Sequence, residues 1–134
     1  MLSVIYVSVA DPLIGEDDIV ALVEQARRNN ARDGLTGALV YNGHNFMQLL
    51  EGPAAEVNAC LAVIGSDPRH SGMVEIRRKQ VERRSFAEWS MLYSTRFRDH
   101  DAELGRLADG AGLDPEIERM IVNFMALGGR PVTG

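Results

Sequence analysis

The first half of the chain alternates between short apolar runs and amphipathic stretches. Positions 2–9 are rich in β-branched and aromatic residues and end shortly before a proline, which predicts a buried first strand. Over 17–30 the apolar residues recur at the i, i+3, i+4 and i+7 spacing of an amphipathic helix, with acidic residues near its start. Two further strands, 34–42 and 44–51, flank an Asn-Gly dipeptide that is typical of a tight hairpin.

The middle of the chain predicts a second helix over 53–66, an edge-like strand over 73–82 and a fifth strand over 88–94. The order of elements is therefore β-α-β-β-α-β-β, which is an α+β layout. A ferredoxin-like sheet with both helices on one face fits this order best.

The tail, residues 99–134, is expected to be helical. A short helix is predicted near 101–108, and a longer one begins at Pro115, because proline favours the first helical position. One face of this longer helix carries the apolar residues Ile117, Ile121 and Phe124. We expect these helices to cover the exposed face of the sheet or to pack on a partner.

Composition limits the classes of function. The 134 residues suffice for one domain, and 46% of them are apolar. Because 14 basic residues face 19 acidic ones, the net charge is −5, which disfavours a nucleic-acid binder. A single cysteine excludes an internal disulfide, and no apolar run approaches the roughly 18 residues of a membrane span. The N-terminus has no signal-peptide pattern, so a cytoplasmic location is expected.

Common catalytic and ligand-binding motifs are absent from the sequence. It has no Walker loop, no G-x-G-x-x-G after a strand, no H-E-x-x-H and no EF-hand loop, and its histidines lack ligand spacing. Cys60, on the apolar side of the second helix, is expected to be a small core residue. The basic residues at 77–79 and 83–84 are expected to form a solvated strand edge, with a phosphate or partner contact as the alternative.

Polar residues stand at several positions that should face inward. Strand parity places Gln48 on the same face as Phe46 and Leu50, and a buried amide must be hydrogen-bonded. Tyr6 would bring a phenol to the core in the same way, and Asn30 lies at the predicted end of the first helix. Two interpretations remain open. Each side chain could have a local partner of its own, such as a helix cap, or all three could converge on one polar ligand.

Five segments, in their order and spacing, resemble the BLUF domains, which are sensors of blue light using FAD. The likeness covers residues 1–98 and includes the tyrosine, asparagine, glutamine and Trp-x-Met positions of the family. The matching segments are Ile5-Tyr6-Val7-Ser8, residues 29–37, residues 46–53, residues 67–71 and residues 86–91. The resemblance implies that the ferredoxin-like sheet and its two helices hold a flavin.

The resemblance also implies roles for individual residues. Tyr6 would hydrogen-bond Gln48, which would lie between that phenol and the flavin N5 and O4 atoms. Asn30 would bond the O4/N3 edge, and Asn29, at a position that is often histidine in the family, would reach toward O2. The other implied cofactor-binding residues are the aliphatic Leu22 and Ile64 on the two ring faces, together with Ser8, Arg69, His70 and Met91.

The mechanism implied by the resemblance begins with blue light exciting the flavin. Tyr6 would transfer an electron and a proton transiently, and the Gln48 amide would rearrange and red-shift the absorption. Trp89 and Met91, which share a face of the fifth strand, would pass the change to the helices of 99–134. FAD is the expected cofactor, although FMN or riboflavin can occupy such sites.

Two classes of function remain open. The first is a photoreceptor without catalysis of its own, in which 1–98 binds the flavin and 99–134 serves output or oligomerisation. It would self-associate and act on a separate effector protein, without nucleic acid or membrane. The second is a flavin-free ferredoxin-like module that binds a small molecule, or an acylphosphatase-like enzyme. The enzyme would need an arginine-bearing phosphate loop after the first strand, where residues 10–13 read Ala-Asp-Pro-Leu.

Overall fold

The computed structural model describes residues 1–84, 92–95 and 115–129. Their elements are β1 (Leu2–Ala10), α1 (Glu16–Asp33), β2 (Thr36–Tyr41), β3 (Asn45–Gly52), α2 (Ala54–Gly65), β4 (His70–Gln80), β5 (Leu92–Thr95) and α3 (Pro115–Gly129). The predicted order is confirmed for these residues, while the predicted helix at 101–108 lies outside them. No helix within the described ranges is long and apolar enough to cross a bilayer.

The strands form one sheet in the order β4-β1-β3-β2-β5. β1 pairs antiparallel with both β3 and β4, and β3 also pairs antiparallel with β2. β5 lies parallel to β2 at the opposite edge from β4. The first four strands with α1 and α2 make the predicted ferredoxin-like unit, and β5 extends its sheet. The apolar runs of β1 and β3 fit this arrangement, because both strands are central and nearly all their residues are buried.

Alternation along the strands divides the core between the two faces of the sheet. On one side, which we call the cleft face, α1 and α2 cover a layer that includes Val4, Tyr6, Ile19, Leu39, Leu50 and Val57. On the other side, the α3 face, the tail helix covers a layer that includes Ile5, Val40, Met47, Leu49, Ile117 and Ile121. The predicted placement of both helices on one face is confirmed, and α3 covers the sheet face that they leave open.

Polar contacts accompany the apolar packing of α3. Near its start, Glu116 Oε1 lies 3.4 Å from Arg77 Nε of β4. Further along, Asn42 Nδ2 donates to the Phe124 carbonyl at 3.2 Å. Asn42 also accepts from the backbone N–H groups of His44 and Asn45 through Oδ1, which closes the predicted hairpin. The same side chain therefore shapes the β2–β3 turn and contacts the tail helix.

The basic residues near β4 differ from the solvated edge that the sequence predicts. β4 is indeed an edge strand, and Arg78 is exposed, with Glu75 as its partner. The Arg77 side chain, however, is only 9% exposed beside Glu116, and Arg84 donates to the main chain of neighbouring elements. The prediction was wrong for these two arginines. Their side chains contact α3 and the ends of α1 and β3, and composition does not reveal such long-range contacts.

The first helix extends beyond its predicted end. α1 continues to Asp33 and ends at Gly34, whose φ of 72° lies in the left-handed region that favours glycine. The Gly34 N–H donates to the Asn30 carbonyl. Asn30 therefore lies one turn inside the helix and not at its C-cap, so its side chain faces the cleft rather than ending the helix.

Gly37 marks a close approach of β2 to β3 and gives a test of the sheet. A Cβ at this position would lie 1.9 Å from the Leu49 carbonyl oxygen, so Gly37→Ala must displace backbone. We expect a loss of about 2 kcal/mol or more in the free energy of unfolding, measured by urea denaturation. Gly65→Ala is the control, because its Cβ would meet only the Met73 side chain at 3.7 Å. Equal stability of the two variants would contradict the close approach of these strands.

Candidate functional site

A cleft of about 620 Å³, including its open mouth, lies between α1 and α2 above the sheet. It is lined by Tyr6, Leu22, Gln25, Ala26, Asn29, Asn30, Leu39, Phe46, Gln48, Cys60, Val63, Ile64, Asp67, Arg69 and His70. Every predicted cofactor residue lines it except Ser8, which is buried on the same face but is not part of the wall, and Met91. Met91 and Trp89 lie outside the described residues.

Tyr6 and Gln48 form the polar floor of the cleft. They are paired across β1 and β3, so their side chains leave the sheet on the same face. The Tyr6 hydroxyl donates to Gln48 Oε1, and both side chains are buried. Burial is the main reason that the pKa of Tyr6 is raised far above its ordinary value, so the phenol keeps its proton at neutral pH. The result is a neutral donor–acceptor pair sheltered from water.

Asn30 and Cys60 bring α1 and α2 together at the back of the cleft. Asn30 is 1% exposed, and the Cys60 thiol lies 4.0 Å from its Oδ1. Desolvation, followed by the charge of Asp33, raises the pKa of Cys60, so the group is a neutral thiol that can donate weakly to the amide. The sequence predicts a core cysteine, and Cys60 does pack against the core cluster while also lining the cleft.

Charged residues meet at the mouth of the cleft. Arg69 Nη2 lies 2.5 Å from Asp67 Oδ2 and donates to Gln25 Oε1 of α1 at 3.1 Å. Hydrogen bonding to Arg69 lowers the pKa of the Asp67 carboxyl, and the same bond raises that of the guanidinium. The pair therefore stays ionised and links the segment after α2 to α1 across the opening.

His70 lies against the aromatic side of the cleft. Its ring is 6.3 Å from that of Tyr6 in a stacked arrangement and 6.1 Å from Phe46 edge to face. Its Nδ1 is buried and has no hydrogen-bond partner among the described residues. Burial lowers the pKa of His70, which favours the neutral ring. His70 therefore adds a neutral aromatic ring to the wall of the cleft.

The wall as a whole suits a flat ring with a polar edge. Leu22 and Ile64 offer aliphatic surface from opposite helices, while the floor and the back present two amides and a phenol. Sequence reasoning missed several lining residues. Gln25 and Ala26 follow Leu22 by one helical turn, and Phe46 shares its strand face with Gln48, so periodicity contains the signal. The remaining missed residues are Leu39, Cys60, Val63 and Asp67.

Comparison with known proteins agrees with this geometry. The family model of BLUF, described as sensors of blue-light using FAD, matches residues 1–92. The chain belongs to the BLUF family. BLUF domains are flavin-based sensors of blue light.

Individual relatives support the family assignment. The blue light- and temperature-regulated antirepressor BluF of Escherichia coli is 35% identical over 101 residues, which cover 72% of this chain and 25% of that protein. A structure of Klebsiella pneumoniae BlrP1 with FMN and cyclic diGMP matches 96% of this chain and 36% of that one, with a TM-score of 0.84 and 32% identity. The dark-state structure of the BLUF protein BlrB matches 96% of both chains, with a TM-score of 0.73 and 26% identity.

The shares of each chain that are covered show that the similarity extends over only part of the longer relatives. The chain spans about a quarter of the antirepressor and about a third of the BlrP1 chain. The regulatory or nucleotide-related properties in those names belong to the longer proteins. What this chain shares with them is the BLUF domain and its fold.

His70 predicts a pH dependence of stability. Its folded-state pKa lies below the ordinary value of 6.5, so the unfolded chain takes up a proton more readily. Stability should therefore fall as the pH drops through about 6.5, where the unfolded histidine begins to protonate. Asp67 partly opposes this effect, because its charge favours the protonated ring.

Urea denaturation of the ligand-free protein between about pH 7 and about pH 5 tests this dependence. The loss of stability should be smaller in His70→Gln than in the wild type. His44→Gln is the control, since His44 is exposed in the hairpin. A His70→Gln profile parallel to that of the wild type would exclude His70 as the source.

Proposed function

We propose that this protein is a blue-light photoreceptor that binds FAD non-covalently and has no catalytic activity of its own. The observation that carries this proposal is the buried Tyr6–Gln48 hydrogen bond on the floor of the cleft between α1 and α2, with Asn30 at its back. A phenol and an amide in a dry site give a hydrogen bond with two stable arrangements, which is what a sensor needs. Membership of the BLUF family supports the same function.

Different cleft residues would bind different parts of the cofactor, according to their chemistry. Asn30, Asn29 and Gln48 present amides for the polar edge of the ring, and Leu22 and Ile64 present its two aliphatic faces. Arg69 and His70 would lie beside the cofactor at the mouth, and Ser8 would support the floor from within the sheet. FAD is proposed because it is the cofactor in the family description, and FMN remains an alternative because BlrP1 contains it.

The switch would be a change in the hydrogen bond between the Tyr6 hydroxyl and the Gln48 amide. A bound flavin would supply absorption of blue light and a one-electron acceptor for Tyr6. Tyr6 holds its proton on Oη and donates it to Gln48 Oε1. Rotation of the Gln48 amide would bring Nε2 to Tyr6, whose oxygen would then accept instead of donate. Because both groups are buried, water does not compete with either arrangement.

Output would pass from the cleft to the tail. Residues 1–98 are proposed as the flavin-binding domain and 99–134 as the output element, with Trp89 and Met91, which precede β5 in the chain, as the relay. Packing of β3 supports a role for the tail. Met47 and Leu49, the neighbours of Gln48, lie in the same apolar layer as Ile117 and Ile121 of α3. A change at Gln48 would therefore reach this helix through a single strand.

The partner is proposed to be a protein. The net charge of −5 opposes direct action on nucleic acid, and the E. coli relative is named an antirepressor, a protein that acts on another regulator. We also propose a cytoplasmic homo-oligomer that acts on a separate effector. The flavin-free module would leave the buried phenol–amide pair without a role, and the acylphosphatase-like enzyme would still lack an arginine in the loop after β1.

Photochemistry tests this function directly. The purified protein should be yellow, and blue light should red-shift its flavin absorption in a change that reverses in the dark. Gln48→Leu and Tyr6→Phe should each abolish the reversible shift while the flavin stays bound, because each removes one partner of the switching hydrogen bond. The measurement is a light-minus-dark difference spectrum.

Tyr41→Phe is the matched control. Tyr41 is also buried and packs on Phe46 at 5.1 Å, but it lies outside the cleft wall. It should retain the red shift with unchanged dark recovery. A colourless wild-type protein, or a red shift that persists in Gln48→Leu, would overturn the proposed function or the proposed switch, respectively.

Transmission to α3 predicts a change in amide exchange. Blue light should alter the hydrogen–deuterium exchange of residues 115–129 in the wild type, because their apolar face packs on the strand that carries Gln48. Gln48→Leu should remove this light effect while keeping the dark pattern. Exchange in 115–129 that is identical in light and dark would exclude α3 from the output path.

Size-exclusion chromatography of the same samples in light and dark would test the proposed homo-oligomer.

A further inference from the structure

Arg84 makes an unusual set of contacts for a residue in a basic surface run. Its Nη1 donates to Thr36 Oγ1 at 2.9 Å and to the Glu51 carbonyl at 3.0 Å, and its Nη2 donates to the Gly34 carbonyl at 2.7 Å. One guanidinium thus connects the end of α1, the start of β2 and the end of β3. Planar delocalised guanidinium groups suit such multiple acceptors, whereas a lysine is a single point charge.

These acceptors surround a tight junction between α1 and β3, formed by Gly34, Leu35, Glu51 and Gly52. A Cβ on Gly52 would lie 2.6 Å from Leu35 Cδ2 and 3.0 Å from the Gly34 carbonyl oxygen. The two chain segments therefore touch without room for a side chain. A cation at this place is also favourable, because the carbonyl at a helix C-terminus carries partial negative charge.

The α1–β3 junction is linked through the main chain to the two residues whose amides line the proposed flavin site. The N–H groups of Gly34 and Leu35 both donate to the Asn30 carbonyl, the latter at 2.8 Å. Glu51 follows Gln48 by three residues on the same strand. The junction therefore sets where the helix that carries Asn30 stands relative to the strand that carries Gln48.

We propose that Arg84 is a positioning residue that fixes the separation of the Asn30 and Gln48 amides by holding the α1–β3 junction closed. It touches neither amide and acts through the carbonyls of Gly34 and Glu51. This inference rests on the proposed flavin site, because the consequence of that separation is the stability of the two arrangements of Gln48. Removing the guanidinium would loosen the junction and change the lifetime of the light-induced state.

Three variants test this role of the guanidinium: Arg84→Gln, Arg84→Lys and the control Arg83→Gln. Arg83→Gln removes the same charge from the neighbouring residue, whose side chain is exposed. Arg84→Gln should change the dark-recovery lifetime by about threefold or more, the scale of one net hydrogen bond. Arg84→Lys should fall between it and the wild type, and Arg83→Gln should match the wild type.

A second measurement needs neither light nor flavin. The Leu35 amide donates to the Asn30 carbonyl inside the junction, so its hydrogen–deuterium exchange should accelerate in Arg84→Gln and not in Arg83→Gln. The melting temperature of each variant separates this local opening from general loss of stability. If Arg84→Gln does not fold, Thr36→Val removes one acceptor while keeping the arginine, and a smaller effect of the same kind is expected.

Equal recovery lifetimes and equal Leu35 exchange in Arg84→Gln and Arg83→Gln would overturn the role of Arg84. That role would also be overturned if Arg84→Gln cannot be purified and Thr36→Val leaves both quantities unchanged. Failure of the wild-type protein to bind flavin or to red-shift would instead overturn the proposed function. In that case the exchange of Leu35 still decides whether Arg84 holds the junction.

Discussion

The hydrogen bond from the Tyr6 hydroxyl to the Gln48 amide oxygen is the interaction on which the cleft depends. It requires the β1–β3 register that pairs these residues, because a slip of one residue would turn one side chain to the opposite face. It also requires burial, which keeps the phenol protonated and keeps water from replacing the amide. A polar pair of this kind is stable inside a protein only when both partners are satisfied, so the surrounding elements must hold it in place.

The two-faced sheet meets that requirement and gives β3 a double role. Its residues alternate between a face that carries the cleft and a face that carries α3. Because the interior is closely packed, a side chain on one face cannot change its contacts without affecting the backbone shared with the other. Asn42 and Arg77 add polar contacts to α3. The tail helix is thus part of the core of the described structure, which makes it a suitable output element for the proposed sensor.

Two charged side chains, Arg69 and Arg84, link the elements that border the cleft. Arg69 and Asp67 connect α1 to the segment after α2 at the mouth, and Arg84 connects α1 to β3 behind Asn30. Both arginines bind acceptors from more than one element, which the planar guanidinium allows. Among the described residues, Tyr6, Cys60 and His70 bring neutral polar groups to the interior of the cleft at neutral pH, because burial favours the protonated phenol and thiol and the neutral ring.

The sequence by itself determined the order of elements, the hairpin, and the apolar side of α3. These follow from periods of 2 and 3.6 residues and from local turn chemistry, which need no distant contact. The family motifs extended this to most of the cleft wall. Only the tertiary structure decided that Asn30 lies inside α1, that Cys60 meets its amide, that Ser8 is not in the wall and that Arg77 and Arg84 point inward. Each of these depends on residues far apart in the chain, brought together by sheet pairing and helix packing, and no local period encodes that contact.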